Sequence, residues 1–420
     1  MTLSPMGAGR SVNDVLERLL SDLPSADTVA NPYPSYAQLR EHTPLFGYQD
    51  YPPGTVPGQD EPVNAWVLMK YSDVEAAARD HAAFSSLDPL QEQSSAPSLM
   101  LVNHDNPEHD RLRGYVSHPF AFRQVEAIRP WLIEQVNQML AELPDGEVEV
   151  VSQLTSLIPA RVMMKLLGRP DEDATRCRDW ANAFMLSADL SAQDRAASNE
   201  AMAAYFVDCV GACAAAVDAG ENPPDGLIGH ILCSEVDGER LGLEEVIRFC
   251  MTLIVAGAET TTYLLTNLLH NLATMPDQVV RLQREPAMVL PFINETLRHS
   301  GPPQRLFRIA TRDVAVGGKQ IHRGDWVALF FGAANHDPAV FPHPERFDMD
   351  RSNLRQQLSM GTGIHQCLGF AVAKMEAAVL VEAVVERFSK LRLGVTAPVP
   401  QTASLLTHSS ESLHLVFQPT

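Results

Sequence analysis

The chain is poor in cysteine and in positive charge. Its 420 residues include six cysteines, and 32 Lys and Arg stand against 52 Asp and Glu, a formal net charge of −20. The cysteines form no CxxC pair, which argues against a zinc site or a disulfide scaffold. The negative charge argues against nucleic acid or an anionic membrane as the main partner, because phosphates would be repelled. We expect an acidic enzyme in a reducing cytoplasm.

Long apolar runs are also scarce. The N-terminus has no basic start followed by an apolar run, so neither a signal peptide nor a membrane anchor is expected. The most apolar internal stretch, Phe249 to Ala258, is too short to cross a bilayer and is predicted to be a helix buried in protein. No repeat or linker divides the chain. We predict a poorly ordered N-terminal leader, residues 1–30, and a single domain over residues 31–420.

The spacing of apolar residues predicts a mainly α protein with small β-sheets. Between about residues 107 and 300, apolar positions recur at intervals of three and four, as in amphipathic helices. The stretch DVAVGGKQIHRGDWVALFF instead alternates around Gly317 and Gly318, the signature of a tight hairpin. Further strands are expected near the front of the chain and at its end, LHLVF.

One cysteine stands in an unusual setting. SMGTGIHQCLG places Cys367 among glycines and before a helical segment that we expect to begin near Leu368. The amides and macrodipole at that helix N-terminus would hold the sulfur as a thiolate. Because glycine has no side chain, a flat ligand could approach the main chain at three positions, Gly361, Gly363 and Gly369. This pattern favours an axial ligand to haem iron over an inert cysteine beside a helix cap.

A charge motif, ETLR, lies about seventy residues before this loop. Glu295 and Arg298 are three residues apart on one helical face and can pair. PERF lies between the two motifs, and its Arg346 would join the pair in a buried charge network beneath the cofactor.

Polar residues also interrupt an apolar helix at AGAETT. Ala256 is small enough to leave room for a ligand, while Glu259 and Thr260 bring an acid and a hydroxyl into a core where both are costly to bury. The alternative is a salt-bridged acid and a threonine bonded to the carbonyl of the preceding turn.

Together these motifs resemble those of soluble bacterial cytochromes P-450. The family's Phe-Gly-x-Gly-x-His-x-Cys-x-Gly loop is matched by residues 360–369 except at Met360, where we expect an altered thiolate environment but retained haem binding. The similarity runs in order from about Asn31 to Phe417. It implies a triangular prism with a long central helix over haem b, whose iron Cys367 ligates.

The resemblance also implies roles for other residues. Glu259 and Thr260 would deliver protons to bound dioxygen, next to Ala256 at the haem. The haem propionates would be bound by four residues, His109, Arg113, Arg308 and His365. The substrate pocket would be lined by mostly apolar positions that core packing explains equally well, Thr252, Val255, Gln304, Leu306, Leu405 and Leu406.

The implied activity is insertion of one oxygen atom from O2 into a C–H bond of a small hydrophobic substrate, such as a terpenoid or a substituted aromatic. Electrons would come from NAD(P)H through a ferredoxin reductase and a separate ferredoxin, because the chain has no flavin, iron–sulfur or nicotinamide motif. An acidic ferredoxin would dock on the Cys367 side against residues that are otherwise ordinary solvated charge, Arg111, Arg113, Arg123, Arg351, Arg355 and Lys374. A peroxide-driven peroxygenase and a non-catalytic haem sensor are the alternatives.

Overall fold

Helices make up most of the regular structure, as the sequence predicts. A computed structural model of the protein describes residues 12–50, 63–87, 99–184, 190–222 and 225–419. The helices are α1 (Val12–Asp22), α2 (Ala26–Ala30), α3 (Tyr33–Arg40), α4 (Tyr71–Arg79), α5 (Glu108–Ser117), α6 (Phe122–Glu142), α7 (Leu157–Leu167), α8 (Ala174–Phe184), α9 (Ala192–Asp218), α10 (Leu227–Cys233), α11 (Leu243–Thr274), α12 (Pro276–Arg284), α13 (Val289–Ser300), α14 (Phe331–Ala334) and α15 (Phe370–Arg387).

The strands are short and form small sheets. They are β1 (Leu45–Asp50), β2 (Val63–Leu68), β3 (Phe84–Ser85), β4 (Glu147–Glu149), β5 (Leu306–Ala310), β6 (Val314–Val316), β7 (Lys319–Ile321), β8 (Trp326–Leu329), β9 (Phe388–Leu393), β10 (Val399–Pro400), β11 (Ser410–Ser412) and β12 (His414–Pro419). The largest sheet has the order β1-β2-β8-β5-β3, and its only parallel pair among the described strands is β2 with β8.

The smaller sheets include the hairpin that the sequence predicts. Strands β6 and β7 pair antiparallel across Gly317 and Gly318, which both have positive φ, 52° and 78°. The C-terminal strand β12 lies between β4 and β9. The mainly α fold with small sheets is therefore confirmed.

The predicted leader is wrong for residues 12–30, which form α1 and α2. Leu23 and Val29 are buried in a cluster with Tyr36 and Phe330, so this segment packs against the largest sheet. Apolar side chains in the stretch supply enough buried area to order it. Residues 1–11 lie outside the described part of the chain, and the single domain over residues 31–420 stays a prediction.

Helix α11 is the long central element. Its 32 residues are buried almost all round, and it contacts α7, α8, α9, α13 and α15. Within the described residues, two helices have the length and hydropathy of a membrane span, Gln193–Asp218 and Leu243–Thr274. The most apolar window of α11 is 83% buried in protein, against 28% for α9. Helix α11 is therefore distinguished from a membrane span by its burial in protein, and not by a short apolar stretch as the sequence suggested.

Candidate active site

The loop that carries Cys367 is shaped by two glycines in the left-handed region. Gly361 and Gly363 both have φ +69°, a conformation that side chains rarely adopt. A Cβ on Gly363 would also lie 3.1 Å from the carbonyl oxygen of Ala78. The Cys367 amide donates to the Met360 carbonyl oxygen at 2.9 Å and closes the loop. The following helix begins at Phe370, two residues later than predicted.

The environment of the Cys367 sulfur differs from the sequence expectation. Burial is the largest influence and raises the thiol pKa, while the Gly369 amide and the Arg113 guanidinium lower it by less. Cys367 is nevertheless exposed by its accessible surface, so part of the residue can be reached by a ligand. The helix N-terminus alone therefore does not make this sulfur a thiolate. Coordination to a metal ion would, because it deprotonates a thiol outright.

Helix α11 has one accessible window in its buried length. Ala256 is exposed and Thr260, one turn later on the same face, is partly accessible, whereas Val255 and Glu259 are 1% and 2% exposed. The Thr260 hydroxyl donates to the Ala256 carbonyl oxygen at 2.7 Å. Its oxygen lone pairs therefore remain able to accept a hydrogen bond at the window.

Gly257, the neighbour of Ala256, has a packing role. A Cβ on Gly257 would lie 2.6 Å from Sδ of Met163 on α7, so the missing side chain allows close helix packing. Gly257 thus serves helix packing, while Ala256 contributes to the window.

Glu259 borders a polar cavity of about 360 Å³ between α8, α11 and β11. Arg178 and Asp179 lie on its wall and pair with each other at 2.8 Å. Tyr263 also lines the cavity, one turn beyond Glu259. Glu259 thus lines this cavity, and the next residue along α11, Thr260, lies at the window.

Two buried groups on the Cys367 side fit the carboxylates of a haem. His109 is 1% exposed, and its Nε2 has no hydrogen-bond partner within the described residues. Arg308 is 7% exposed and donates to the Phe307 carbonyl oxygen, without a salt bridge in the described part of the chain. Burial lowers the Arg308 pKa to about 10. A buried cation without a salt bridge and a buried ring nitrogen without a hydrogen bond are both costly, so both groups suit bound carboxylates.

His365 completes this edge of the site. Its ring lies 4.7 Å from the His109 ring, and its Nε2 is 2.9 Å from the Ser86 hydroxyl. Burial lowers the His365 pKa, which favours the neutral ring. The structure thus places His109, Arg308 and His365 near one another, and their binding of propionates stays a prediction.

Arg113 takes a different position. Its Nη1 donates to the Ile364 carbonyl oxygen at 3.0 Å and its Nη2 to the Gln366 carbonyl oxygen at 2.9 Å. The guanidinium therefore fixes the cysteine loop, and its predicted propionate contact stays a prediction. The sequence alone does not distinguish an arginine that binds a loop carbonyl oxygen from one that binds a carboxylate.

The predicted charge network exists, but one member is wrong. Glu295 and Arg298 are fully buried and form two hydrogen bonds, at 2.7 and 2.8 Å. Arg346 contributes only its carbonyl oxygen to Arg298, and its side chain is 71% exposed. Arg351 is the second cation, 7% exposed and 3.3 Å from Glu295. Arg351 is therefore also removed from the predicted ferredoxin surface.

Two polar residues of the predicted pocket have structural roles. The Thr252 hydroxyl donates to the Arg248 carbonyl oxygen and accepts from the Met100 amide, both at 2.9 Å. Gln304 is 1% exposed and donates to the Gly301 carbonyl oxygen.

Leu405 is buried in the same apolar cluster as Tyr36 and Phe330. Val255 is likewise buried in the main core. Leu306 and Leu406 are partly accessible and remain candidates.

Comparisons with known proteins agree with this geometry. The family model "Cytochrome P-450" matches residues 178–416. The chain is 32% identical to the cytochrome P-450 monooxygenase PikC of Streptomyces venezuelae, over 88% of this chain and 87% of that one. It is 32% identical to the vitamin D(3) 25-hydroxylase of Pseudonocardia autotrophica, over 86% and 87%. The crystal structure of the LnmA cytochrome P-450 hydroxylase of Streptomyces atroolivaceus superposes with a TM-score of 0.79 at 30% identity, over 91% and 96%.

Proposed function

The chain belongs to the cytochrome P-450 family, and on that premise we propose that it hydroxylates a C–H bond of a small, largely apolar substrate with O2. Its relatives are named monooxygenases and hydroxylases, so an oxygen-incorporating oxidoreductase is the established class. The observation that carries the proposal is that α11 places the buried acid Glu259 on the polar cavity and the next residue, Thr260, at the accessible window. A haem sensor would have no use for this acid and hydroxyl.

The cofactor implied by the family is haem b, ligated by Cys367. When bound there, haem supplies the activation of dioxygen, which thiolate ligation favours. His109, Arg308 and His365 would hold its carboxylates, and Ala256 would leave room above it. Arg113 would keep the cysteine loop in place through the Ile364 and Gln366 carbonyl oxygens.

Proton transfer follows from the two neighbouring residues on α11. The Glu259 carboxyl group would receive a proton from the polar cavity and pass it towards the window as a general acid. The Thr260 hydroxyl, which donates to the Ala256 carbonyl oxygen, would accept a hydrogen bond there and so hold a water molecule in line. Each residue thus has one task, proton supply for Glu259 and orientation for Thr260.

The substrate and the electron donor are finer parts of the proposal. Leu306 and Leu406 offer apolar surface, which suits a terpenoid or a substituted aromatic. We propose electron supply from NAD(P)H through a ferredoxin reductase and an acidic ferredoxin, in the cytoplasm. Arg123 and Arg355 are the exposed cations that remain from the predicted docking surface. Arg111 pairs with Glu108 at 2.7 Å.

Coupling measurements test the role of Thr260. Thr260→Ala should retain haem and substrate binding but divert electrons to hydrogen peroxide, because a water molecule at the window loses its acceptor. We expect the product formed per NAD(P)H consumed to fall several-fold, with Thr260→Ser close to wild type. Thr274→Ala is the matched control, since Thr274 makes the same bond one turn back, to the His270 carbonyl oxygen, at the far end of α11.

Three results would contradict the proposal. Unchanged coupling in Thr260→Ala would remove Thr260 from the proton path. Product formation with hydrogen peroxide alone, at the rate seen with NAD(P)H and a ferredoxin system, would support the peroxygenase instead. Spectral binding of substrate without product from any electron source would support the sensor.

A further inference from the structure

Asp105 joins separate segments at the edge of the site. It precedes α5, and its carboxylate accepts a hydrogen bond from the Ser86 amide at 3.0 Å and another from the Ser85 hydroxyl. Its own carbonyl oxygen accepts from the His109 amide at 2.8 Å. The side chain is 17% exposed. Asp105 therefore connects the end of β3 to the helix that carries His109.

This carboxylate is not a helix cap. Helix α5 begins at Glu108 and has no side-chain cap, although an Asp shortly before a helix often supplies one. The carboxylate of Asp105 instead accepts from Ser85 and Ser86, about twenty residues earlier in the chain. Helix capping thus gives no reason for an acid here.

The serines lead directly to the cysteine loop. Ser86 donates its amide to Asp105 and has its hydroxyl 2.9 Å from Nε2 of His365. The same Nε2 lies 4.0 Å from Oδ1 of Asp105, too far for a direct hydrogen bond. Ser86 therefore bridges the carboxylate and the imidazole.

Asp105 also acts on the buried cation of the site. Its charge raises the pKa of Arg308 against the larger lowering by burial, so the two groups are electrostatically coupled. Burial works to raise the pKa of Asp105 itself, but His365 and the two serines outweigh it and bring that pKa to about 2. Asp105 is consequently a fixed negative charge at neutral pH, facing both Arg308 and His365.

We propose that Asp105 is a positioning residue for the cofactor, which fixes His365 through Ser86 and whose negative charge lowers the reduction potential of the bound haem. The inference rests on the haem binding assigned under the proposed function. Reduction adds an electron to the haem, and a nearby fixed negative charge in a poorly solvated site opposes that step. Groups beyond the direct ligands tune cofactor potentials in this way.

Spectroelectrochemical titration of the holoenzyme tests the charge. Asp105→Asn preserves the shape and an acceptor for the Ser86 amide but removes the charge. We expect the reduction equilibrium to shift about three- to tenfold towards ferrous haem. That shift corresponds to about 30–60 mV in the positive direction, at 59 mV per tenfold for one electron.

Two further variants separate charge from position. Ser86→Ala keeps the charge but removes the hydroxyl bridge to His365, so haem should dissociate several-fold faster to excess apomyoglobin while the reduction equilibrium changes by less than about twofold. Asp145→Asn is the matched control, because it removes one negative charge from an exposed turn. It should alter neither the potential nor haem dissociation.

The inference is overturned if Asp105→Asn, folded and haem-loaded, has the same reduction equilibrium as Asp145→Asn. It is also overturned if Asp105→Asn yields no folded protein by circular dichroism while Asp105→Glu is normal, since Asp105 would then serve folding alone. Failure of the proposed function is distinguishable, because wild-type protein would then lack the red-shifted Soret band under reducing conditions with carbon monoxide.

Discussion

Replacing Arg351 with Ala tests which cation completes the buried charge network. Its side chain lies 3.3 Å from Glu295 and donates to the Pro342 carbonyl oxygen at 2.6 Å and the His343 carbonyl oxygen at 2.7 Å. Hydrogen bonds that involve a charged group contribute about 1.5–3 kcal/mol each, and losing one partner of a buried ion pair costs about 3–5 kcal/mol. Because Glu295 keeps Arg298, we expect Arg351→Ala to lose about 3 kcal/mol of unfolding free energy.

The same reasoning gives a small effect for Arg346→Ala, below about 0.5 kcal/mol, because that side chain is 71% exposed. With an unfolding entropy of about 2.1 cal/mol/K per residue, or about 0.9 kcal/mol/K for this chain, Arg351→Ala should melt about 3–4 °C lower and Arg346→Ala less than 1 °C lower. Thermal and urea unfolding followed by circular dichroism at constant haem loading would measure both. Equal losses in the two variants, or a larger loss in Arg346→Ala, would refute the assignment of Arg351 to the network.

Two other predictions concern stability. Burial lowers the pKa of His299 and of His408 to about 4, so the unfolded chain binds more protons between about pH 6.5 and pH 4. The unfolding free energy present above pH 6.5 should therefore fall as pH falls towards 4. Between pH 7 and pH 5 the urea midpoint of His408→Asn should drop less than that of the wild type. An equal drop would show that His408 does not contribute to the pH dependence of stability. Gly363→Ala should lower the unfolding free energy by about 1–3 kcal/mol, because φ is positive there and the new Cβ contacts Ala78. Gly324→Ala is the control, since its φ is also positive but no atom lies within 4 Å, and it should lose about 1 kcal/mol in the same urea titration. Equal losses would show that the contact with Ala78 has no energetic effect.

The sequence predicted those parts of the site that depend on local spacing. Glu295 and Arg298 pair because residues three apart share a helical face, and that relation is independent of the rest of the fold. Whether Arg346 or Arg351 reaches Glu295 depends on the backbone path of an irregular segment. The two arginines are five residues apart in it, and only the side chain of Arg351 turns inward. Backbone paths of this kind follow from tertiary contacts, which no short motif records.

Apolar residues are ambiguous for a different reason. Leu405 and Leu406 are adjacent and chemically identical, yet Leu405 is 1% exposed in the core and Leu406 is partly accessible. An apolar side chain is suited equally to packing against protein and to packing against a ligand, so residue type does not distinguish a core position from a pocket position. The sequence gives no signal for the role of Asp105, because its partners Ser85 and Ser86 are about twenty residues away and an Asp before a helix is typical of a cap.

The cysteine loop shows how position and protonation are divided between protein and cofactor. Two features fix the backbone around Cys367: the positive-φ glycines at 361 and 363, and the hydrogen bonds from Arg113 to the Ile364 and Gln366 carbonyl oxygens. Neither feature requires the sulfur to be deprotonated. Burial raises the pKa of that sulfur, so the loop by itself favours the neutral thiol. Binding of a metal ion reverses this preference, because coordination requires the deprotonated sulfur. The protein thus supplies a preformed loop geometry, and the metal supplies the charge that makes the thiolate stable there.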